Sequence, residues 1–191
     1  MSNRPAMPPD AGPVVDLATW QARLWAELGS AARDKAHPWR TPVLATVGGA
    51  HGADGRVVVL REVDESQRSV VFFTDARSPK VEQISRQPQG TLVMWSAPLG
   101  WQLRLGVHLQ IETSGLAVSS HWARLRMTRA AQDYLAPRPP GTALTALPQR
   151  ESRAHFALVT AQVLTMDWLW LDPAGHRRAV FDGQGARWVQ P

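Results

Sequence analysis

The segment from Arg56 to Lys80 constrains the fold more strongly than any other part of the sequence. An apolar run bounded by arginines, Arg56-Val57-Val58-Val59-Leu60-Arg61, precedes a second run that ends in Phe72-Phe73-Thr74, and Ser78-Pro79-Lys80 follows. The β-branched runs predict two strands, and serine followed by proline predicts the start of a helix. Guanidinium, hydroxyl and free backbone N–H groups then lie close together, which favours a site for a small phosphorylated ligand.

The two arginines pose a question that the sequence leaves open. Arg56 and Arg61 are five residues apart, so the strict alternation of one β-strand would direct their side chains to opposite faces. Either a bulge intervenes, or the two side chains serve different surfaces. The spacing taken alone favours two solvent-exposed strand arginines.

Apolar periodicity and turn residues predict the elements around this segment. Helices are predicted over 17–33 with Asp16 as N-cap, over 78–86, and from Ser119 or Ser120 through Leu135. Strands are predicted over 42–47, 69–74, 90–96 and 101–114, with a late pair over 161–171 and 179–181. Stretches 48–55 and 136–148 are predicted loops. Four or five strands in meander order predict a closed antiparallel barrel with the first helix lying on it.

Composition limits the domain number and the function classes. The 191 residues are 44% hydrophobic and 19% charged, so we expect a disordered leader at 1–13 and a single domain at 14–191. The sequence lacks an apolar run of about 18 residues, which predicts a cytoplasmic protein with no membrane partner. No cysteine is present, and the six histidines lack zinc-motif spacing, so no metal site is expected.

Charge adds one further expectation. The net charge of +5 comes mostly from arginine, whose planar fork suits bidentate phosphate recognition. The cations are scattered and no nucleic-acid-binding motif accompanies them, so we expect no nucleic-acid partner.

The central segment resembles the FMN-binding split-barrel family typified by pyridoxamine 5'-phosphate oxidase. That family carries R-x-V-L-L-K, then F-Y-T, then S-R-K, and a downstream R-Q-V. The matching positions here are Arg56, Arg61, Phe73, Thr74, Ser78, Lys80 and Gln102. Pro79 stands where the family has an arginine, and Arg77 is the candidate to replace that contact. The resemblance covers about 42–115 well and implies a mainly β protein with peripheral helices, an antiparallel split β-barrel.

The resemblance also implies FMN as the cofactor and a homodimer with flavin at the subunit interface. Arg56, Thr74 and Lys80 would anchor the phosphate, while Arg61 and Gln102 would approach the flavin ring. Trp170 and Arg178 take the places of a family tryptophan near the flavin and of a final arginine. The complete set of expected cofactor-binding residues is Arg56, Val57, Val58, Val59, Leu60, Arg61, Phe73, Thr74, Arg77, Ser78, Lys80, Gln102, Trp170 and Arg178. No side chain is assigned as a catalytic acid or base.

Two family elements concern the substrate. Tyr134, Arg138 and Thr142 match the functional positions of the family's substrate-phosphate segment, Y-F-x-S-R-P-x-x-S. A helix end followed by an ordinary proline-rich loop is the alternative interpretation. His176-Arg177-Arg178 does not reproduce the family's R-x-H substrate element, which argues against turnover of pyridoxamine phosphate itself.

Three functions therefore remain. The leading hypothesis is an FMN-dependent oxidoreductase of this family that acts on an unidentified small-molecule substrate. The first alternative is an authentic pyridoxamine/pyridoxine 5'-phosphate oxidase. The second is a non-catalytic flavin- or haem-binding module, and the sequence does not decide between FMN and a deazaflavin or haem.

Overall fold

A computed structural model describes residues 16–48, 52–143 and 155–191. The predicted leader at 1–13, the middle of the predicted loop 48–55 and part of the predicted loop 136–148 lie outside the described residues. The α-helices are α1 (Leu17–Arg33), α2 (Pro79–Arg86) and α3 (Leu116–Leu125). The strands are β1 (Val43–Val47), β2 (Ala53–Val57), β3 (Leu60–Asp64), β4 (Ser69–Asp75), β5 (Gln89–Ser96), β6 (Trp101–Glu112), β7 (Phe156–Trp170), β8 (Arg177–Asp182) and β9 (Gly185–Val189).

Helix α1 confirms the prediction over 17–33. The carboxylate of Asp16 accepts a hydrogen bond from the backbone N–H of Ala18 at 3.0 Å and so caps the first turn. Trp20, Leu24 and Leu28 follow at three- and four-residue spacing, and all are buried. The helix packs on β3, as expected for a helix on the barrel. No helix in the described ranges is both long and apolar enough to cross a membrane.

The strands form one antiparallel sheet in the order β2-β1-β5-β6-β7-β4-β3, and β8 and β9 extend from β7. The strands at the two ends of this path, β2 and β3, are consecutive in the chain, so the sheet curls back on itself. They do not pair with each other, and the prediction of a closed barrel is wrong. A short 3₁₀ turn, Pro38–Arg40, contacts β3 and β5 instead, with Trp39 fully buried.

The prediction of one continuous strand from Arg56 to Arg61 is also wrong. The strand is interrupted at Val58 and Val59, where the backbone N–H of Val58 donates to the carbonyl of Pro42 at 2.9 Å. Before the break β2 pairs with β1, and after it β3 pairs with β4. One straight strand cannot reach both edges of a curled sheet, and the break supplies the change of direction.

Other boundaries differ for local reasons. The predicted helix from 119 to 135 is two pieces, α3 and a 3₁₀ turn at Arg129–Tyr134, and α3 begins after Gly115 at φ +100°. Strand β7 begins at Phe156, earlier than the predicted start at 161. It has 15 residues and pairs with β4, β6 and β8. Strand β9 lies in a stretch without a strong apolar alternation and was not predicted as a strand. Strand β2 begins at Ala53, inside the predicted loop 48–55, and only its last two residues, Arg56 and Val57, fall in the predicted strand.

Two hydrophobic cores lie on opposite faces of β4. Val70 and Phe72 belong to the main core inside the curled sheet. Phe73 packs against a second core beneath α3, built around Trp122 and Phe156. Alternation therefore places Thr74 on the side of the main core and Phe73 on the side of α3. This division separates the predicted site residues.

Candidate functional site

Three of the predicted phosphate-binding side chains meet where β4 leads into α2. The Lys80 ammonium donates to Thr74 Oγ1 at 3.1 Å and to Ser78 Oγ at 3.2 Å, and the two hydroxyl oxygens are 3.2 Å apart. Ser78 occupies the N-cap position of α2, but its side chain makes no capping hydrogen bond. Its hydroxyl lies beside Thr74 and Lys80, so helix capping does not explain this side chain.

Arg56 is held in place from α2 and β1. Its guanidinium donates to Gln83 Oε1 at 2.8 Å and to the hydroxyl of Thr46, and it forms an ion pair with Asp54. The Gln83 amide donates in turn to Asp54 at 2.8 Å. Gln83 is buried, and its contacts fix the direction of the Arg56 side chain.

A glycine makes room for Gln83. Gly48 has φ +139°, and a Cβ at this position would lie 2.9 Å from Gln83 Cγ. A larger residue would strain the backbone and displace the amide that Arg56 contacts.

Charge in this region is not balanced. Burial lowers the pKa of Lys80, the positive charge of Arg56 lowers it further, and Asp75 and Asp54 oppose the shift. Among the described residues, no ion pair includes Lys80. We refer to Arg56, Thr74, Ser78 and Lys80 as the anion cradle, because an anionic group there would satisfy the donors of Lys80, Thr74 and Ser78 and neutralise the charge of Lys80.

Arg61 lies on the opposite side of the sheet from the cradle. Its guanidinium carbon is 5.5 Å from the centre of the Phe73 ring, a cation–π contact. Burial raises the pKa of Tyr134, although the charge of Arg61 and its hydrogen bond to the phenol act to lower that pKa. Arg61 thus contacts a predicted substrate residue. Both alternatives for the two arginines are therefore found: the register of β3 against β4 shifts between Leu60 and Glu62, at Arg61, and the two side chains serve different surfaces.

A cleft of about 220 Å³ opens beside Arg61, and we call it the Arg61 cleft. Its walls include Glu62, Phe73, His121 and Arg124. His121 Nδ1 is 3.4 Å from the Glu62 carboxylate. The Nε atom of Arg61 is buried without a hydrogen-bond partner.

Arg77 is engaged elsewhere than in the cradle. Its guanidinium donates to both oxygens of Asp75, at 3.0 and 2.7 Å, and to the carbonyls of Ala136 and Pro137, at 2.8 and 3.1 Å. It therefore ties the segment after Tyr134 to the start of α2. The phosphate contact predicted for Arg77 would require some of these bonds to break.

The predicted substrate segment is not assembled into one site. Tyr134 is buried in the second core, whereas Arg138 and Thr142 are exposed. Arg138 donates to the carbonyl of Ala143 at 3.3 Å. None of the hydrogen bonds in the described ranges connects the three side chains.

Gln102 and Arg178 lie on the outer face of the sheet. Strand register places Gln102 opposite Leu169, and Leu169 opposite Arg178, so the three share one face. Asp167 accepts two hydrogen bonds from Arg178, at 2.9 and 2.7 Å. Arg56 pairs with the core residue Leu44 and lies on the other face. A single chain does not bring these two sets together.

The remaining predicted cofactor residues are divided in the same way. Val57 is exposed, Val58 is buried and Val59 half-buried at the strand break, and Leu60 belongs to the main core. Trp170 is half-buried among other tryptophans, with the Arg177 guanidinium 5.7 Å from its ring centre. Val58 and Leu60 therefore pack in the interior, and the Val57 side chain is open to solvent.

The family model for the pyridoxamine 5'-phosphate oxidase FMN-binding domain matches residues 17–113, which is 97 of the 191 residues. The chain belongs to this FMN-binding family. The expected resemblance is confirmed, and the matched domain is one that binds FMN.

Curated relatives of this FMN-binding family share part of the sequence. A pyridoxine/pyridoxamine 5'-phosphate oxidase from Thermosynechococcus vestitus is 39% identical over 85 residues, which cover 44% of this chain and 38% of the relative. A protein of the same name from Cyanothece is 33% identical over 111 residues, 58% of this chain and 45% of the relative. The matches thus span less than half the length of these relatives.

Solved structures extend the likeness to nearly the whole fold. A pyridoxamine 5'-phosphate oxidase-related, FMN binding protein from Nostoc punctiforme superposes with a TM-score of 0.71 at 23% identity, covering 93% of this chain and all of that one. PhzG from Burkholderia lata, in complex with tetrahydrophenazine-1-carboxylic acid, gives a TM-score of 0.71 at 17% identity, covering 98% of this chain and 99% of that one. The fold is therefore the split barrel of the FMN-binding family, as predicted.

Sequence reasoning missed three residues that shape the cradle of this family member. Thr46, Asp54 and Gln83 contact Arg56 from β1, β2 and α2. Each is an ordinary polar residue in its own segment. The one available signal was Gln83 next to Ile84 on the buried side of α2, since a polar residue at a core-facing position usually has a partner.

Proposed function

We propose that this protein binds FMN with its phosphate in the anion cradle and acts as an FMN-dependent oxidoreductase on a small-molecule substrate. The observation that carries the proposal is Lys80, a half-buried ammonium without an ion-pair partner in the described ranges and within hydrogen-bond distance of two hydroxyls. Membership of the FMN-binding family supports it.

The donors of the cradle fit a phosphate. Lys80 and Arg56 supply two positive charges, Thr74 and Ser78 supply hydroxyl donors, and the start of α2 adds the positive end of its helix dipole. Backbone N–H groups add little there, because Pro79 has none and the Val81 N–H donates to the Ser78 carbonyl at 2.9 Å. A phosphate dianion would accept hydrogen bonds from Lys80, Thr74 and Ser78 and offset the like charges of Lys80 and Arg56. The Arg56 guanidinium already bonds Thr46, Gln83 and Asp54, so it would act mainly through its charge. Arg56 is oriented by Gln83 before any ligand arrives, so little ordering is required on binding.

FMN, when bound, supplies the hydride or electron transfer, and the protein binds and orients it. The side chains described above act as anchors and donors, and none is assigned a proton-transfer role. The curated relatives are named pyridoxine/pyridoxamine 5'-phosphate oxidases, and the matches cover less than half of each relative.

The functional unit is a homodimer in which one copy's outer sheet face meets the other copy's cradle. Gln102 and Arg178 lie on the face opposite Arg56, so a second copy is needed to bring both sets to one flavin. The same outer face exposes apolar side chains of Val43, Val57 and Trp95, at 40%, 62% and 46%. Burial of this apolar area would stabilise the dimer.

The proposal is tested by titrating the purified protein with FMN and following flavin fluorescence. Lys80→Met should weaken FMN binding by about 2 kcal/mol, the size of a charge-assisted hydrogen bond lost from a half-buried site. The matched control is Arg86→Met on the same helix, an exposed residue paired with Glu82. Unchanged affinity in Lys80→Met, or no FMN uptake by the parent protein, would overturn the assignment.

The contact between Arg61 and Tyr134 favours a second candidate, an authentic pyridoxamine/pyridoxine 5'-phosphate oxidase. It brings a guanidinium to one of the residues that the family resemblance assigns to the substrate. Hydrogen peroxide formed on addition of pyridoxine phosphate to the FMN-loaded protein would establish this activity. FMN that binds but is not reduced by any amine or alcohol donor would instead indicate a non-catalytic flavin module.

A further inference from the structure

Six tryptophans form a continuous series of ring contacts along one side of the main core. We call Trp20, Trp39, Trp101, Trp168, Trp170 and Trp188 the tryptophan array. Trp168 lies at its centre, with ring centroids 4.5 Å from Trp20, 5.4 Å from Trp101, 6.2 Å from Trp170 and 6.3 Å from Trp188. Trp39 joins through Trp101 at 6.3 Å.

The polar atoms of this array are unusual for a packed core. The indole N–H groups of Trp20, Trp39, Trp168 and Trp170 are buried without a hydrogen-bond partner. A buried indole normally finds an acceptor, and leaving four unpaired in one cluster costs stability that a core of phenylalanine and leucine would not incur. Packing alone therefore does not account for the choice of tryptophan.

We propose that the array conducts an electron hole from Trp170 through Trp168 to Trp188. Indole is among the most easily oxidised side chains, and the chain contains no cysteine. A one-electron oxidant takes an electron from Trp170. Trp168 then gives an electron to Trp170, and Trp188 gives one to Trp168, so the hole ends on Trp188. The Trp188 radical cation releases its Nε1 proton to water and becomes a neutral indolyl radical, while the oxidant is reduced by one electron.

Charge and exposure set the direction of transfer. Arg177 lies 5.7 Å from the Trp170 ring centre, and Arg23 lies 4.7 Å from that of Trp20 and 5.7 Å from that of Trp101. A positive charge near a ring disfavours a radical cation on it. In the described ranges no such cation lies over Trp168 or Trp188, and Trp188, 36% exposed, is the most accessible member.

Interior indoles have no acceptor for their protons, so a hole on them stays mobile until it reaches water. The array would thereby remove oxidising equivalents from the interior to the surface. The path stands on the ring contacts, and only its natural oxidant, a photoexcited flavin or an oxygen-derived species from flavin turnover, rests on the proposed function.

The absence of cysteine allows a clean test in the full chain. Ala174→Cys, in the turn between β7 and β8, places a single attachment point in a notch that Trp170 and Arg177 also line. A ruthenium polypyridyl complex attached there is excited by a light flash in the presence of a sacrificial electron acceptor, which converts it to a one-electron oxidant. Oxidised tryptophans are then located by peptide mass spectrometry. Trp188 is expected to carry the main product, and Trp95, exposed on the outer face, reports any oxidant that escapes into solution.

Two variants test whether the hole reaches Trp188 through the array. In Trp168→Phe the Trp188 product should be lost and oxidation should accumulate on Trp170, while the control Trp122→Phe, in the second core, should leave the product unchanged. In Trp188→Phe, at an edge strand, oxidation should move to Trp168 and Trp170, which keeps the test decisive if Trp168→Phe fails to fold.

A Trp188 product that persists in Trp168→Phe, or a parent protein in which Trp188 is not oxidised, would overturn the proposal. FMN titration of the same proteins is read separately. Failure to bind FMN would refute the proposed function and leave the outcome for the array intact.

Discussion

The anion cradle and the Arg61 cleft are two sites built from arginines only five residues apart, and they differ in almost every physical property. The cradle is polar, carries excess positive charge, and is oriented by Gln83 from α2. The Arg61 cleft is partly aromatic, and its arginine contacts Phe73, with the Glu62 carboxylate 3.4 Å from His121 Nδ1 in the wall. A strand break at Val58 and Val59 sends consecutive strands to opposite edges of the curled sheet. One short motif thus serves two surfaces of different chemistry.

The largest expected effect comes from exchanging the two arginines for methionine one at a time. Arg56→Met should weaken FMN binding by about 2–3 kcal/mol, because it removes a charged donor from the cradle. Arg61→Met should change FMN affinity by less than about 1 kcal/mol, because this side chain lies on the other face. Isothermal titration of both variants against FMN makes the measurement, and equal losses would show that the two regions are not independent.

Riboflavin lacks the phosphate, so its binding shows how much the phosphate contributes to affinity in each variant. We expect the difference in binding free energy between FMN and riboflavin to shrink by about 1.5–3 kcal/mol in Lys80→Met and to remain in Arg61→Met. Both ligands are titrated against the parent and both variants. A difference that survives in Lys80→Met would place the phosphate elsewhere than the cradle.

The pH dependence of FMN affinity follows from the lowered pKa of Lys80. A bound phosphate favours the ammonium form and raises that pKa, so the protonated protein binds more tightly. Above about pH 7, where the phosphate is already a dianion, affinity should stay constant until the pH reaches the lowered pKa and then fall. Lys80→Arg should flatten this decline, because a guanidinium stays charged. If Lys80→Arg shows the same fall in FMN affinity, the fall is caused by the titration of a group other than Lys80.

The smallest effect separates ligand binding from helix capping. Asp16 caps α1 with a hydrogen bond, whereas Ser78 at the start of α2 makes none from its side chain. Asp16→Ala should lower the free energy of unfolding, and Ser78→Ala should leave it nearly unchanged while weakening FMN binding by about 1 kcal/mol. Denaturant unfolding and FMN titration measure the two quantities, and a stability loss in Ser78→Ala equal to that in Asp16→Ala would make Ser78 a structural residue.

Local features of the fold were predictable. Helix α1 begins and ends as its cap and apolar spacing predict, and the strand before Ser78-Pro79-Lys80 was placed within one residue. Thr74, Ser78 and Lys80 meet because they lie within seven residues of one another across a single strand-to-helix turn. The family resemblance rested on these same residues and was confirmed.

Residue order along the chain specifies which donors are available and which of them one turn brings together. Long-range packing sets the rest. Arg56 faces α2 while Arg61 faces Tyr134, and Gln102 lies on the far face. Arg56 is oriented by Thr46, Asp54 and Gln83. These outcomes depend on strand order and register, which are set by pairing between segments distant in sequence. Register is fixed by which face each strand buries in the assembled sheet, and that information is absent from any single segment.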